Sequence, residues 1–217
     1  MRLPDSEPIA RAEPLREAVY DRIIELLCSG EYPPGSVLTE ASLSRMLAVS
    51  RTPVREALLR LQAEGVLQSS LARGFTVRPL DRRDVVELYP ILAALEGLAA
   101  RSITNPSKAM LKELRSTAAA IVRCSDGIER WRLDTKFHRT LVAAGGNEHL
   151  VEMIGQLRIN LSRYELTFMR EMPSRDNADD QHGQIIAALE DRSPDQAARI
   201  LDQHWRNGQE QLLDWLS

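Results

Sequence analysis

The stretch from Ser50 to Arg78 constrains the chain more than any other. It opens with SRTPVREALLRLQAEG, which offers two helix caps, Ser50 and Thr52. With Thr52 as cap, Pro53 falls at the first helical position, where its missing N–H costs nothing. Val54, Leu58 and Leu61 recur at i, i+4 and i+7, so one face turns to a core and Arg51 and Arg55 point away from it. Gly65 ends the helix. Two short apolar runs follow, VLQSS and FTVRPL, separated by Leu71-Ala72-Arg73-Gly74. That pattern predicts a β-hairpin with a glycine at its tip.

Upstream, LREAVYDRIIELLCS over 15–29 places Leu15, Val19, Ile23, Leu26 and Leu27 on one helical face, with Gly30 as a stop. Thr39 fits an N-cap, and the helix after it turns Leu43, Met46 and Leu47 inward before a short Ala48-Val49 connection. Helix, helix, short turn, helix, hairpin is the order of a winged helix-turn-helix, here over residues 15–78. In such units the second helix of the motif enters the major groove by its N-terminal residues. Those residues are Ser50, Arg51, Thr52 and Arg55. An arginine fork fits guanine or phosphate, and Ser50 and Thr52 suit phosphate contacts. Arg73 and Gly74 suit a wing that reaches the backbone or minor groove.

Net charge is -3, which at first argues against nucleic acid. The distribution reverses the argument. Residues 41–80 carry six arginines (45, 51, 55, 60, 73 and 78) against Glu56 and Glu64, whereas residues 81–217 carry eighteen basic and twenty-one acidic residues. Phosphate binding needs local positive charge, and an acidic remainder does not cancel it beyond about 8–10 Å. Residues 1–14 read as a flexible polar arm without the apolar core of a signal peptide. No apolar run approaches the roughly 20 residues of a membrane span. Cys28 and Cys124 lack CxxC spacing and read as buried free thiols, so the cytoplasm is the expected compartment.

From Asp81 onward the periodicity predicts an all-α bundle of six helices, at about 81–103, 106–125, 127–144, 147–171, 177–191 and 194–216. The domain boundary falls near Arg78-Pro79-Leu80-Asp81. The whole chain is therefore expected to be mainly α. Asp134 and His138 lie one turn apart on a face that continues through Leu141 and Val142. His182 shares a face with Ile185, Ile186 and Leu189, and His204 follows Ile200 by four. Imidazole and carboxylate suit Zn²⁺, Ni²⁺, Mn²⁺ or Fe²⁺. Periodicity alone leaves open whether the three helices converge. His149, at a helix start, reads as a surface residue.

The segment GEYPPGSVLTEASLSRMLAVSRTPVREALLRLQAEGVLQSSLARGFTV resembles the DNA-binding domain of the GntR family of bacterial regulators. The resemblance rests on SRTPVREAL, the trailing RLQAEG and the RG of the wing. It implies that Arg51 and Arg55 contact bases or phosphates and that Gly74 lies against the groove. Ala41 stands where some members carry a further arginine. Residues 81–217 resemble the FCD effector domain of the FadR subfamily, in its shorter VanR-like branch. This implies a divalent metal held by Asp134, His138, His182 and His204, and argues against acyl-CoA binding. It further implies a homodimer on a palindromic operator in double-stranded DNA, most often a repressor released by a small carboxylic acid. Leu92 stands where many such domains carry an effector-binding arginine, so Arg158, Asn160 and Arg163 are the candidates to hold the carboxylate.

Two other functions compete. One is a constitutive DNA-binding protein with a purely structural metal. The other is a metal-dependent hydrolase fused to a DNA-binding module, because such a ligand set can activate water. The sequence shows no further acid or base at a telling spacing, such as the Glu of HExxH, and no enzyme is expected.

Overall fold

The computed structural model describes residues 13–70, 74–79, 81–171 and 176–217. The chain divides into two compact units with the boundary between residues 79 and 80.

The first unit runs α1 (Glu13–Cys28), β1 (Val37–Leu38), α2 (Glu40–Leu47), α3 (Arg51–Ala63), β2 (Leu67–Ser70) and β3 (Gly74–Val77). Thr39 caps α2 through its side-chain oxygen, which accepts from the Ser42 N–H at 3.1 Å. Ala48 ends α2 in the left-handed region, φ 53°, and so turns the chain sharply into α3. Ser50 occupies the cap position of α3 but makes no side-chain capping bond. The helix begins at Arg51, so Pro53 is its third residue and still falls among the N–H groups that a helix leaves unbonded. Val54, Leu58 and Leu61 have no exposed surface, as the helical spacing requires.

Two inward assignments are corrected. Leu15 and Met46 are about half exposed, at 50% and 51%. Each lies at the margin of an apolar stripe that the two neighbouring helices do not reach. Tyr20 is buried instead; its hydroxyl donates to Glu64 Oε2 at 2.5 Å and its ring lies under the Arg60 guanidinium. The expected hairpin forms, with Ser69 opposite Phe75 and Leu67 opposite Val77. A third strand, β1, joins it in the order β1-β3-β2, pairing Leu38 with Phe75. Two residues carry no period, so this strand had no signature in the chain.

The second unit is helical throughout its described residues: α4 (Arg82–Ser102), α5 (Lys108–Arg123), α6 (Gly127–Ala144), α7 (Glu148–Glu171), α8 (Asp176–Glu190) and α9 (Pro194–Trp215). Asp81, Ser107 and Asp126 cap α4, α5 and α6 through their side chains, and Pro194 opens α9. α4 packs along α9 and also touches α6 and α7. Leu92, Leu114, Phe137, Leu141, Leu161, Ile185 and Leu201 fill the centre.

Pro90 sits inside α4, and its missing N–H leaves the Val86 carbonyl without its helical donor. The Gln209 amide of α9 substitutes, donating to Val85 O at 3.1 Å and Val86 O at 3.3 Å. The start of α4 is tied separately. The Tyr164 hydroxyl accepts from the Asp81 N–H and donates to Asp84 Oδ2 at 2.7 Å. Among the described residues no helix is long and apolar enough to cross a membrane.

Candidate functional sites: a surface for DNA and a buried cluster of histidines

The N-terminal end of α3 is presented to solvent. Ser50, Arg51, Thr52 and Arg55 are all exposed, while Pro53 and Val54 beside them are buried. Arg55 is 67% exposed, and its Nε lies 3.7 Å from Glu40 Oε1 on α2. At that exposure the ion pair is weak and exchanges readily for a phosphate or a base edge. Arg73 lies outside the described residues. Gly74 opens β3 with φ +97°, and a Cβ there would come within 2.6 Å of the Leu38 carbonyl oxygen. The wing glycine is therefore required by the approach of β1, apart from any contact it makes to DNA.

The second site lies inside the helical unit. α6 supplies Asp134 and His138, α8 supplies His182 and α9 supplies His204; all four are buried. One donor atom from each falls within 4.8 Å of the others. His138 Nε2 is 3.2 Å from His204 Nε2 and 3.9 Å from Asp134 Oδ1, and His182 Nε2 is 3.4 Å from Asp134 Oδ1. The three helices thus converge, which their periodicity left open. Burial by itself pushes the Asp134 carboxyl up. The neighbouring His182, His138 and Arg158 outweigh that, and hold it well below the usual carboxylate range.

The three α7 candidates separate. Arg158 is buried and reaches the cluster: its NH2 lies 3.6 Å from Asp134 Oδ2 and 3.7 Å from Glu165 Oε2, and its NH1 lies 3.6 Å from Glu96 Oε1. It also donates to Thr135 Oγ1 at 3.2 Å. Arg163 turns to Asp84 at 3.3 Å, near the start of α4. Asn160 is half-buried, and its backbone carbonyl accepts from Arg163 Nε. Leu92 is fully buried in the core.

Two carboxyl groups went unrecognised in the sequence. Glu96 has no exposed surface, and its Oε2 lies 2.7 Å from His138 Nδ1 and 3.1 Å from Trp205 Nε1. Glu165 is 3% exposed and accepts from Tyr89 and Trp131. Each was signalled by an acidic residue at an inward position of an apolar helical face: Glu96 follows Leu92 by four, and Glu165 follows Leu161 by four. Beside the cluster is a cavity of about 20 Å³ lined in part by Asp134, Glu165, Gln181, His204 and Tyr89. That is room for a water or two and little more.

A winged helix-turn-helix unit with an exposed arginine-bearing helix end, followed by a helical unit, is the organisation of a DNA-binding regulator. The comparisons agree. Residues 15–77 match the model for bacterial regulatory proteins of the gntR family, and residues 87–207 match the FCD domain. The chain is 33% identical over 189 residues to a probable D-xylose utilization operon transcriptional repressor of Paenarthrobacter nicotinovorans, covering 86% of this chain and 83% of that one. It is 32% identical over 192 residues to the Nta operon transcriptional regulator of Aminobacter aminovorans, covering 86% and 89%. The solved structure of E. coli McbR/YncC shares the fold, with a TM-score of 0.82 at 23% identity over 94% of this chain and 99% of that one. The chain belongs to the GntR family of bacterial transcription regulators, in the group that carries an FCD domain. It is a DNA-binding regulator, and its family and relatives are not enzymes.

Proposed function

We propose that the chain is a repressor that binds a palindromic operator as a homodimer in the cytoplasm, and leaves it when a small carboxylic acid occupies a divalent-metal site. In this reading residues 15–78 are the DNA-binding domain and residues 81–217 the effector domain. Ser50, Arg51, Thr52, Arg55, Arg73 and Gly74 meet the DNA. The likeness to a probable transcriptional repressor of Paenarthrobacter nicotinovorans supports the direction of control.

The observation that carries the reading is the cluster of Asp134, His138, His182 and His204. Three imidazoles and a carboxylate are the donor set of Zn²⁺, Ni²⁺, Mn²⁺ or Fe²⁺. Donor atoms round such an ion at about 2.0–2.2 Å stand about 3–3.5 Å apart at a tetrahedral edge. The separations of 3.2 and 3.4 Å match that spacing, 3.9 Å is somewhat wider, and all four donor atoms lie within 4.8 Å of one another. Charge points the same way. Around the cluster, Asp134, Glu96 and Glu165 are buried carboxyl groups that share the buried guanidinium of Arg158, which lies 3.6–3.7 Å from each. A divalent cation balances the remainder, and buried charge is costly unless balanced.

When bound, the ion supplies a Lewis-acidic contact for an oxygen of the effector. Arg158 supplies the second contact, taking the place of the family's arginine at Leu92. Its Nε and NH1 are buried without a hydrogen-bond partner, so a carboxylate has donors ready to receive it. The adjoining cavity is too small for such a molecule. Entry therefore displaces lining side chains, and this connects occupancy to the packing of α4 and α9.

The test has two arms. Elemental analysis of the protein, reconstituted in turn with Zn²⁺, Ni²⁺ and Mn²⁺, should find one ion per chain, and His182→Ala or His204→Ala should lose it. Operator duplexes selected from a random pool should be bound with a loss of about 1–3 kcal/mol in Arg55→Ala, accompanied by relaxed sequence preference. A wild-type protein without stoichiometric metal would refute the sensing half. An unchanged isotherm for both Arg51→Ala and Arg55→Ala would refute the groove assignment.

A further inference from the structure

We propose that Glu96 of α4 is a positioning residue of the metal centre, locking the His138 ring so that Nε2 is the atom offered to the ion. The proposal rests on the metal reading above.

The geometry around one oxygen carries it. Glu96 Oε2 lies 2.7 Å from His138 Nδ1 and 3.1 Å from Trp205 Nε1, with Glu96 fully buried. An indole N–H can only donate, so Oε2 is an acceptor. The consistent arrangement at His138 is then an Nδ1–H that donates to the same oxygen. That tautomer leaves the lone pair on Nε2. Nε2 is the atom that faces Asp134 Oδ1 at 3.9 Å and His204 Nε2 at 3.2 Å. Glu96 is not one of the four residues whose donor atoms gather within 4.8 Å, so it stands behind the ligand.

A carboxylate behind a ligating imidazole fixes the ring's orientation and raises its basicity. The neighbouring His182 provides the contrast: its Nδ1 is buried without a hydrogen-bond partner. The same carboxylate is also fastened to α9 through Trp205, and its other oxygen faces Arg158 of α7 at 3.6 Å. Glu96 thus fastens a ligand on α6 to α4, the helix that follows the boundary between the two units.

The experiment is a zinc competition titration of the full-length protein against a chromophoric chelator, with Glu96→Gln beside wild type. Gln keeps the size and an acceptor but removes the charge. The expected result is zinc binding weakened about 10–100-fold, with the far-UV circular dichroism unchanged. Glu171→Gln is the control. Glu171 likewise accepts from an indole, that of Trp215, and its loss should leave zinc affinity unmoved. In parallel, ¹⁵N NMR of zinc-loaded wild type should show His138 coordinated through Nε2 and protonated at Nδ1.

Zinc affinity in Glu96→Gln within twofold of wild type would overturn the proposal, as would coordination of His138 through Nδ1. If Glu96→Gln does not fold, the wild-type tautomer decides alone. A wild-type protein that binds no zinc, nickel or manganese brings down the metal reading itself, a different outcome from a wild type that binds while the variant binds equally well.

Discussion

Replacing Gly74 by alanine separates what the wing needs in order to fold from what it contributes to DNA. The backbone at Gly74 has φ +97°, a region that side chains of L-residues avoid at a cost of about 1–2 kcal/mol. The added Cβ would also stand 2.6 Å from the Leu38 carbonyl oxygen, and backbone cannot rotate away as a side chain can. Relief requires β1 and β3 to part where Leu38 pairs with Phe75, and forced shifts of packed structure cost about 1–3 kcal/mol. The total is about 2–5 kcal/mol, all of it within the first unit.

The assay follows from where the chromophores lie. Trp131, Trp205 and Trp215 all belong to the second unit, so indole emission during urea unfolding should be the same in wild type and Gly74→Ala. Hydrogen exchange at the Phe75 and Val77 amides should be faster by at least about 30-fold, the factor equivalent to 2 kcal/mol. Exchange within threefold of wild type would refute the steric reasoning. If operator affinity fell all the same, the glycine would be there for DNA alone.

Two further perturbations test the helical unit. Gln209→Leu removes the donor that stands in for the missing N–H of Pro90, and should cost about 1 kcal/mol in urea melts followed by tryptophan emission. In a Pro90→Ala background the helix supplies that N–H itself, and the same substitution should cost nearly nothing; equal costs in both backgrounds would contradict the substitution of donors. Burial, together with its bond to Asp84, pushes the Tyr164 phenol up to about 12 against the lowering effect of the Asp81 N–H. An unfolded tyrosine ionises near about 10, so the folded state holds its proton more tightly; that stability is complete below pH 10 and is lost as pH rises toward 12. Tyr164→Phe should flatten the alkaline limb of a stability-versus-pH curve, and an unaltered limb would show that Tyr164 does not govern it.

Much of this structure was legible because local chemistry decided it. Thr39 caps α2 as expected, and the helices expected from about 81, 106, 127 and 194 begin within two residues of those positions, where Asp81, Ser107 and Asp126 cap them and Pro194 opens the last. Val54, Leu58 and Leu61 were secure because an amphipathic face needs only its own period. Leu15 and Met46 were not, because the width of a buried stripe depends on how far neighbouring helices reach. β1 is too short to carry a pattern. At the buried site, the helical period placed Asp134 and His138 on one face, but only tertiary packing brings His182 and His204 to them. The opposite fates of Arg158 and Arg163 were invisible for the same reason: both lie on α7 and both are buried, yet one turns to Asp134 and the other to Asp84.

The two candidate sites obey different electrostatics, and the proposed control depends on that difference. The arginines of α3 act in water, where their attraction for phosphate is graded and weakened by salt. The histidine cluster lies where an unbalanced charge is costly and the neighbouring groups have few ways to pack. In the proposed control, α4 is the helix that connects the groups around this site. Its capping residue bonds Tyr164, its middle carries Tyr89 at the cavity wall, and Glu96 one to two turns further on holds His138. Pro90 interrupts its hydrogen-bond ladder between the first contact and the last. In the proposed control, a molecule that enters the cavity displaces part of this lining. Linkage then fixes the sign. If the effector weakens operator binding, the operator must weaken effector binding by the same factor. Titrating the effector into protein alone and into protein saturated with operator should therefore give affinities whose ratio equals the effector's shift of the operator isotherm. Identical effector affinities with and without DNA, alongside effector-driven release, would mean that the release does not pass through this site.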